Sequence, residues 1–163
     1  MIPVEINKEP EMPLSRSGHN KFIREVIHEF SIHFIPGSET LYVGGLGEKF
    51  SYFDEEKFNT LDLRFDSHRK MPDVVLYYPS KNWLVLVDSV ISQGPVDTKR
   101  HEELAGLFAQ SKAGLVYVTA FPTKKMMAKY LDVISWETDV WVAEAPNNLI
   151  HFDGERFLGP YEN

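Results

Sequence analysis

The chain has 163 residues, 43% of them hydrophobic and 25% charged, with no cysteine and a formal charge of −7. That length suits one domain with a sizeable core, and the missing thiols exclude disulfides, thiol catalysis, iron–sulfur ligation and thiolate zinc sites. No apolar run reaches the roughly 18–20 residues of a membrane span, no secretory pattern opens the chain, and the net charge argues against holding nucleic acid by bulk charge alone. A cysteine-free chain fits a reducing compartment, so a cytoplasmic protein is expected.

The charge is uneven. Between Arg69 and Lys129 nine Lys/Arg face five acids, a local balance of +4 within an acidic whole. A basic middle can meet a polyanion while the rest keeps the protein in solution.

In chain order, residues 1–14 carry three prolines and no period, and predict an extended or disordered arm before a single domain over 15–163. Ser15 or Ser17 is expected to cap a helix to about His33, with Phe22, Ile23, Val26, Ile27, Phe30 and Phe34 at three-and-four spacing and Pro36-Gly37 as its stop. Thr40–Val43 predicts a strand. Asp54 predicts the cap of a short helix over 55–60, and the alternation of Leu61–Phe65 predicts a half-exposed strand.

The middle is clearer. Val74–Tyr78 and Trp83–Val87 predict two strands around the turn Pro79–Asn82, and neither alternates, so both faces are expected to be covered. Trp83 is expected to pack within its apolar strand. Asp97 or Thr98 starts a helix with Leu104, Leu107 and Phe108 on one face. Leu115–Thr119 is the next buried strand, and Pro122 opens a helix to about Leu131. Val140–Ala143 and Leu149–Phe152 predict two more strands, with a last short one after Asp153-Gly154. This order predicts an α/β fold around a mixed sheet flanked by helices.

One constellation carries chemistry. If Tyr78 pairs with Trp83, opposed residue numbers sum to 161, and Asp73 lies across from Asp88 on the same face. Like charges so placed need compensation, which a divalent cation such as Mg²⁺, a shared proton or a nearby cation would supply. Strand-end aspartates that only accept backbone hydrogen bonds are the competing reading. Arg100 precedes Leu104 by four and Leu107 by seven, on the sheet-facing side of its helix, and needs an anionic partner. Lys99 lies one position round and is expected to pair with Glu103 at i,i+4. Glu25 and Glu29 either reach the same site from behind or form a solvent face. His101 is a minor candidate for proton transfer.

The blocks KMPDVVLYYPSKNWLVLVDSV (70–90), GPVDTKRHEEL (94–104), LVYVTAFP (115–122) and ISWETDVWVAEAPNNLIHFDGERFLGP (134–160) resemble the catalytic domain of PstI/BsuBI-type restriction endonucleases, in the PD-(D/E)xK nuclease superfamily. The resemblance implies a restriction-endonuclease-like αβββαβ core and hydrolysis of double-stranded DNA with Mg²⁺, or Mn²⁺ in its place. Asp73 and Asp88 would be metal ligands, Arg100 and Lys99 catalytic cations, and Gln93, Lys70 and Ser92 substrate-binding residues. The superfamily lysine position is Val90 here, and the family more often has Glu at the position of Asp88. No separate DNA-recognition domain is expected, so a specificity or defence-complex subunit is an expected partner, and the resemblance together with the need to cut two strands implies a homodimer. A catalytically decayed nuclease fold that only binds DNA or protein is the alternative.

Overall fold

The structure is a computed structural model and describes residues 14–45, 48–66, 69–91 and 94–152. The expected arm up to residue 13, the strand after Asp153, and two expected substrate contacts, Ser92 and Gln93, lie outside these residues. The strands are β1 (Glu39–Gly45), β2 (Glu48–Phe53), β3 (Val74–Tyr78), β4 (Trp83–Ser89), β5 (Gly114–Phe121), β6 (Thr138–Val142) and β7 (Leu149–Phe152). The helices are α1 (Leu14–Glu25), α2 (Ser31–Phe34), α3 (Glu55–Thr60), α4 (Thr98–Leu107) and α5 (Lys124–Ala128).

All seven strands form one sheet in the order β2-β1-β3-β4-β5-β6-β7. Pairing is antiparallel from β2 to β4, parallel from β4 through β5 to β6, and antiparallel again at β7. Parallel neighbours need a crossover, and α4 supplies the one between β4 and β5. The carboxyl ends of β4, β5 and β6 therefore share one end of the sheet.

Two apolar layers enclose this sheet, so its central strands lack alternation. On one side Val74, Leu76, Val85, Val87, Val118 and Ala120 meet Phe22, Ile23, Val26 and Phe30 of the first helical segment, with Trp141. On the other, Val75, Leu84, Leu86 and Tyr117 meet Leu104 and Phe108 around α4. A third cluster joins Val90, Phe121 and Val140 to Met127 of α5.

The first helix is one rod with a π-turn over Val26–Phe30 between α1 and α2. There the Ser31 hydroxyl donates to the Ile27 carbonyl, a competitor for helical bonding that accompanies such bulges. Because α1 begins at Leu14, Ser15 and Ser17 fall inside its first turn and neither is the cap. Asp54 caps α3 by accepting from the Lys57 N–H at 3.1 Å, as its position predicts.

Three expectations are corrected. Leu61–Phe65 is not a strand: the Leu63 N–H returns to the Phe58 carbonyl, and Asp62 takes φ 62°, so the stretch folds back as the exit of α3. The helix expected from Pro122 to Leu131 is only Lys124–Ala128, capped by the Thr123 hydroxyl, with turns after it. Trp83 is 37% exposed at the hairpin end and lies beneath the Lys81 ammonium.

Candidate active site

The β3–β4 register pairs Tyr78 with Trp83 and Val74 with Val87, so opposed numbers sum to 161 throughout. Asp73 stands immediately before β3, and the same register carries it opposite Asp88. Its face follows from the packing. Val75 and Leu86 point into the α4-side core, and Asp73 and Asp88 lie two residues beyond them along the respective strands. Both carboxylates therefore close the α4-side row at the sheet end where the parallel strands finish.

Backbone bonds tie the pair crosswise. The Ser89 N–H donates to Asp73 Oδ2 at 2.7 Å, and the Asp73 N–H donates to the Asp88 carboxylate. On the outer side of β3, the Gly44 N–H donates to the Asp73 carbonyl at 2.8 Å.

Their repulsion is answered by a side chain. Arg100 enters from the first turn of α4, where Asp97 caps the helix by accepting the Arg100 N–H at 2.8 Å. Its Nε donates to Asp88 Oδ2 at 2.6 Å and its Nη2 to Asp88 Oδ1 at 3.3 Å, a bidentate grip. Nη2 also reaches the Met71 carbonyl at 3.2 Å, while Nη1 bonds the Lys70 carbonyl at 3.0 Å and Glu103 Oε1 at 3.4 Å. A guanidinium has five N–H donors, and these five contacts occupy them within the protein. Arg100 thus sews the lead-in to Pro72-Asp73 onto Asp88.

The surroundings perturb the titrations. Burial pushes the Asp88 carboxyl up to about 6; the bonds and charge of Arg100 pull against this, and Asp73 adds to the rise. Burial would lower Arg100, but Asp88 and Glu103 outweigh it and hold the guanidinium more firmly protonated. Tyr42 is pushed up to about 12 by burial and by the Asp73 charge. Thr119, beside Asp88 on β5, is fully buried and accepts the Val96 N–H at 2.9 Å. Neither Tyr42 nor Thr119 stands out in the sequence. A bulge in β1 between Thr40 and Tyr42, opposite Leu76 and Val75 of β3, and the long-range β4–β5 register place them.

Other predicted residues divide. Lys99 is exposed with no side-chain partner among the described residues, because Glu103 pairs with Arg100 at i,i+3 rather than with Lys99. Lys70 contributes its carbonyl to the Arg100 clamp, and its side chain is exposed. Val90 is buried against Phe121 and Met127, so a cation cannot enter from that position. Glu25 and Glu29 belong to the helical layer on the opposite face of the sheet from Asp88. The His101 ring packs on Tyr117 at 4.2 Å.

The donor set suits a hard divalent cation, which takes oxygen ligands and, for Mg²⁺, needs only one or two carboxylates alongside water and phosphate oxygens. A carboxylate offers roughly four lone-pair positions. Two contacts from Arg100 take up part of this capacity on Asp88 and leave room for an ion. Among the described residues no group of three or more His, Asp or Glu is placed to hold an ion, so water and substrate would complete the shell.

A mixed sheet with an antiparallel β3–β4 ribbon, a crossover helix and paired carboxylates at the ribbon's end defines a restriction-endonuclease-like domain. A sequence model of the BsuBI/PstI restriction endonuclease domain matches residues 2–155, and the chain belongs to that family. Type II restriction enzyme BsuBI of Bacillus subtilis is 56% identical over 161 residues, covering 99% of this chain and 51% of that enzyme. Type II restriction enzyme AplI of Arthrospira platensis is 26% identical over 160 residues, covering 82% of this chain and 49% of that enzyme. The solved structure of SdaI restriction endonuclease superposes with a TM-score of 0.79 at 44% identity, over 90% of this chain and 46% of that one. The chain thus spans about half the length of these relatives. The family places it in a metal-dependent nuclease superfamily, and no helix among its described residues is long and apolar enough to cross a membrane.

Proposed function

We propose that the protein is a type II restriction-like deoxyribonuclease that hydrolyses phosphodiester bonds of double-stranded DNA with Mg²⁺, held by Asp73 and Asp88. The observation that carries this reading is the meeting of two buried carboxylates on one face at the end of adjacent strands. Mn²⁺ is the expected substitute. When bound, the ion supplies Lewis-acid polarisation of the phosphate and a more acidic water.

The protein's own groups have separate roles in this reading. Asp73, braced by the Ser89 N–H, presents the second carboxylate. Asp88 is kept anionic at neutral pH by a guanidinium that does not deprotonate, despite its burial. Arg100 is a positioning residue, its donors being spent on the protein. Lys99, exposed one position round α4, is the cation available to the phosphoryl oxygens, where charge builds in the transition state. Lys70, with Ser92 and Gln93, contacts the substrate backbone. The setting is a bacterial or phage-associated cytoplasm, with the protein acting as a homodimer or with a specificity or defence-complex subunit.

A second reading, a decayed nuclease fold that binds without cutting, is favoured by the burial of Val90 at the superfamily lysine position. Plasmid cleavage with Mg²⁺ or Mn²⁺, beside Asp73→Asn and Asp88→Asn, separates the two. Cleavage by the wild type that both substitutions abolish, in proteins with unchanged circular dichroism, supports the enzyme. DNA binding without cleavage, and no heat of Mn²⁺ binding by calorimetry, supports the decayed form.

A further inference from the structure

The lysines of the basic middle are not used alike. At the hairpin end of the sheet they are locally engaged: Lys81 lies 5.4 Å from the centroid of the Trp83 ring, and Lys112 pairs with Asp62 at 3.1 Å. At the carboxylate end α5 is different. Met127 buries itself against Val90, two residues past Asp88, which seats this helix directly beside the site. Lys125 and Lys129, four apart, then share the face turned away from Met127. Both are exposed with no side-chain partner among the described residues. Lys124, by contrast, stands next to an acid, since its backbone N–H donates to Glu144 Oε1 at 2.5 Å.

Lys125 lies in the last turn of α5 and Lys129 is its C-cap residue, so the two ammonium groups concentrate positive charge at one end of the helix, where an anion can meet both. They stand out all the more in a chain of net charge −7. We infer that Lys125 and Lys129 form a phosphate clamp for duplex DNA on the β5–β6 side of the site, gripping the backbone away from the bond being cut. The clamp rests on the nuclease reading and extends it to a surface with no part in the chemistry. Two strand residues and the width of one helix put these lysines roughly 15–20 Å from Asp88. At 3.4 Å per step that is about half a turn of B-DNA.

The test is the salt dependence of binding to a 30-base-pair fluorescent duplex, without added metal, between 50 and 200 mM KCl. The proteins are the wild type, Lys125→Gln/Lys129→Gln, and Lys112→Gln as a control at the other end of the sheet. Each lost phosphate contact removes about 0.9 from the slope of log K against log salt. The double variant is therefore expected to lose about 2 from the slope and about tenfold in affinity at 150 mM KCl, and to raise KM for plasmid far more than it lowers kcat. Lys112→Gln is expected to match the wild type. An unchanged slope in the double variant, or an equal loss in Lys112→Gln, overturns the clamp. Cleavage by the wild type with no slope difference would sink the clamp and spare the nuclease. A slope difference in a wild type that never cuts upholds the clamp and sinks the nuclease. No duplex binding at all overturns the clamp, and the nuclease falls with it only where the wild type also cuts no plasmid with Mg²⁺.

Discussion

The same three strands present very different faces. Toward α1, Val74 and Leu76, Val85 and Val87, and Val118 and Ala120 form an apolar surface sealed by Phe22, Phe30 and Trp141, with the uncharged Ser89 buried at the end of β4. Toward α4, the rows through Val75 and Leu86 finish in Asp73 and Asp88, while that of β5 runs from Tyr117 through Thr119 to buried Phe121. One face is built for burial alone; the other gives up apolar area at its last position to hold charge. Alternation along a strand lets both happen without either disturbing the other.

The sharpest way to break this contrast is a matched pair of truncations. Asp88→Ala strands a buried guanidinium and is expected to cost about 3–5 kcal/mol. Phe30→Ala on the opposite face is expected to cost a similar 3–5 kcal/mol through lost packing. Urea melts should find the two about equally destabilised, while only Asp88→Ala loses Mn²⁺ binding below the transition. Equal ion binding by both would dissolve the division of labour. Asp73→Asn follows, since an amide oxygen still accepts the Ser89 N–H. Stability should hold, and single-turnover cleavage should fall by about 10²–10³. A change of melting temperature as large as that of Asp88→Ala would mean the residue is structural instead.

Smaller effects sharpen the picture. Asp97→Ala removes the cap whose donor is the Arg100 N–H, and is expected to cost about 1 kcal/mol. The denaturation midpoint checks it. The smallest concerns His19, a buried polar residue one turn before Phe22 and Ile23, whose Nδ1 has no hydrogen-bond partner among the described residues. Burial lowers its pKa. Below about 6.5 the unfolded chain takes up a proton that the folded chain resists, so stability should fall as pH drops through that range. His19→Phe should flatten that dependence; an identical pH slope in both proteins would remove His19 as its source.

Much of the site was legible because its defining geometry is local. A four-residue turn sets the register of β3 on β4, and the face of a helix sets Arg100, so residues 73, 88 and 100 could be brought together from spacing. What spacing cannot show is competition. Glu103 had two cations within reach, and the buried one took it. The strand β2 is not expected from the sequence because the alternation in Glu48–Phe53 is too short, Phe50 and Tyr52 only, and its pairing with β1 is what makes it a strand. Trp83 departs from its apolar strand because hydrophobicity alone does not reveal that a strand's first residue sits at the rim. The metal was one of three ways to relieve the aspartate pair, and the nearby cation is the one visible among the described residues.

The lead-in to α4 is fastened from two directions. The Val96 N–H is held by Thr119 on β5, and its carbonyl receives the Ser135 N–H at 2.9 Å. A rod pinned at its root swings least near the pin. At 1.5 Å per residue, Arg100 lies only about 6 Å from that anchor, whereas Leu107 lies about 16 Å away. A tilt of the helix about that anchor would therefore displace the guanidinium less than half as far as the helix end, which keeps it in register with its carboxylate.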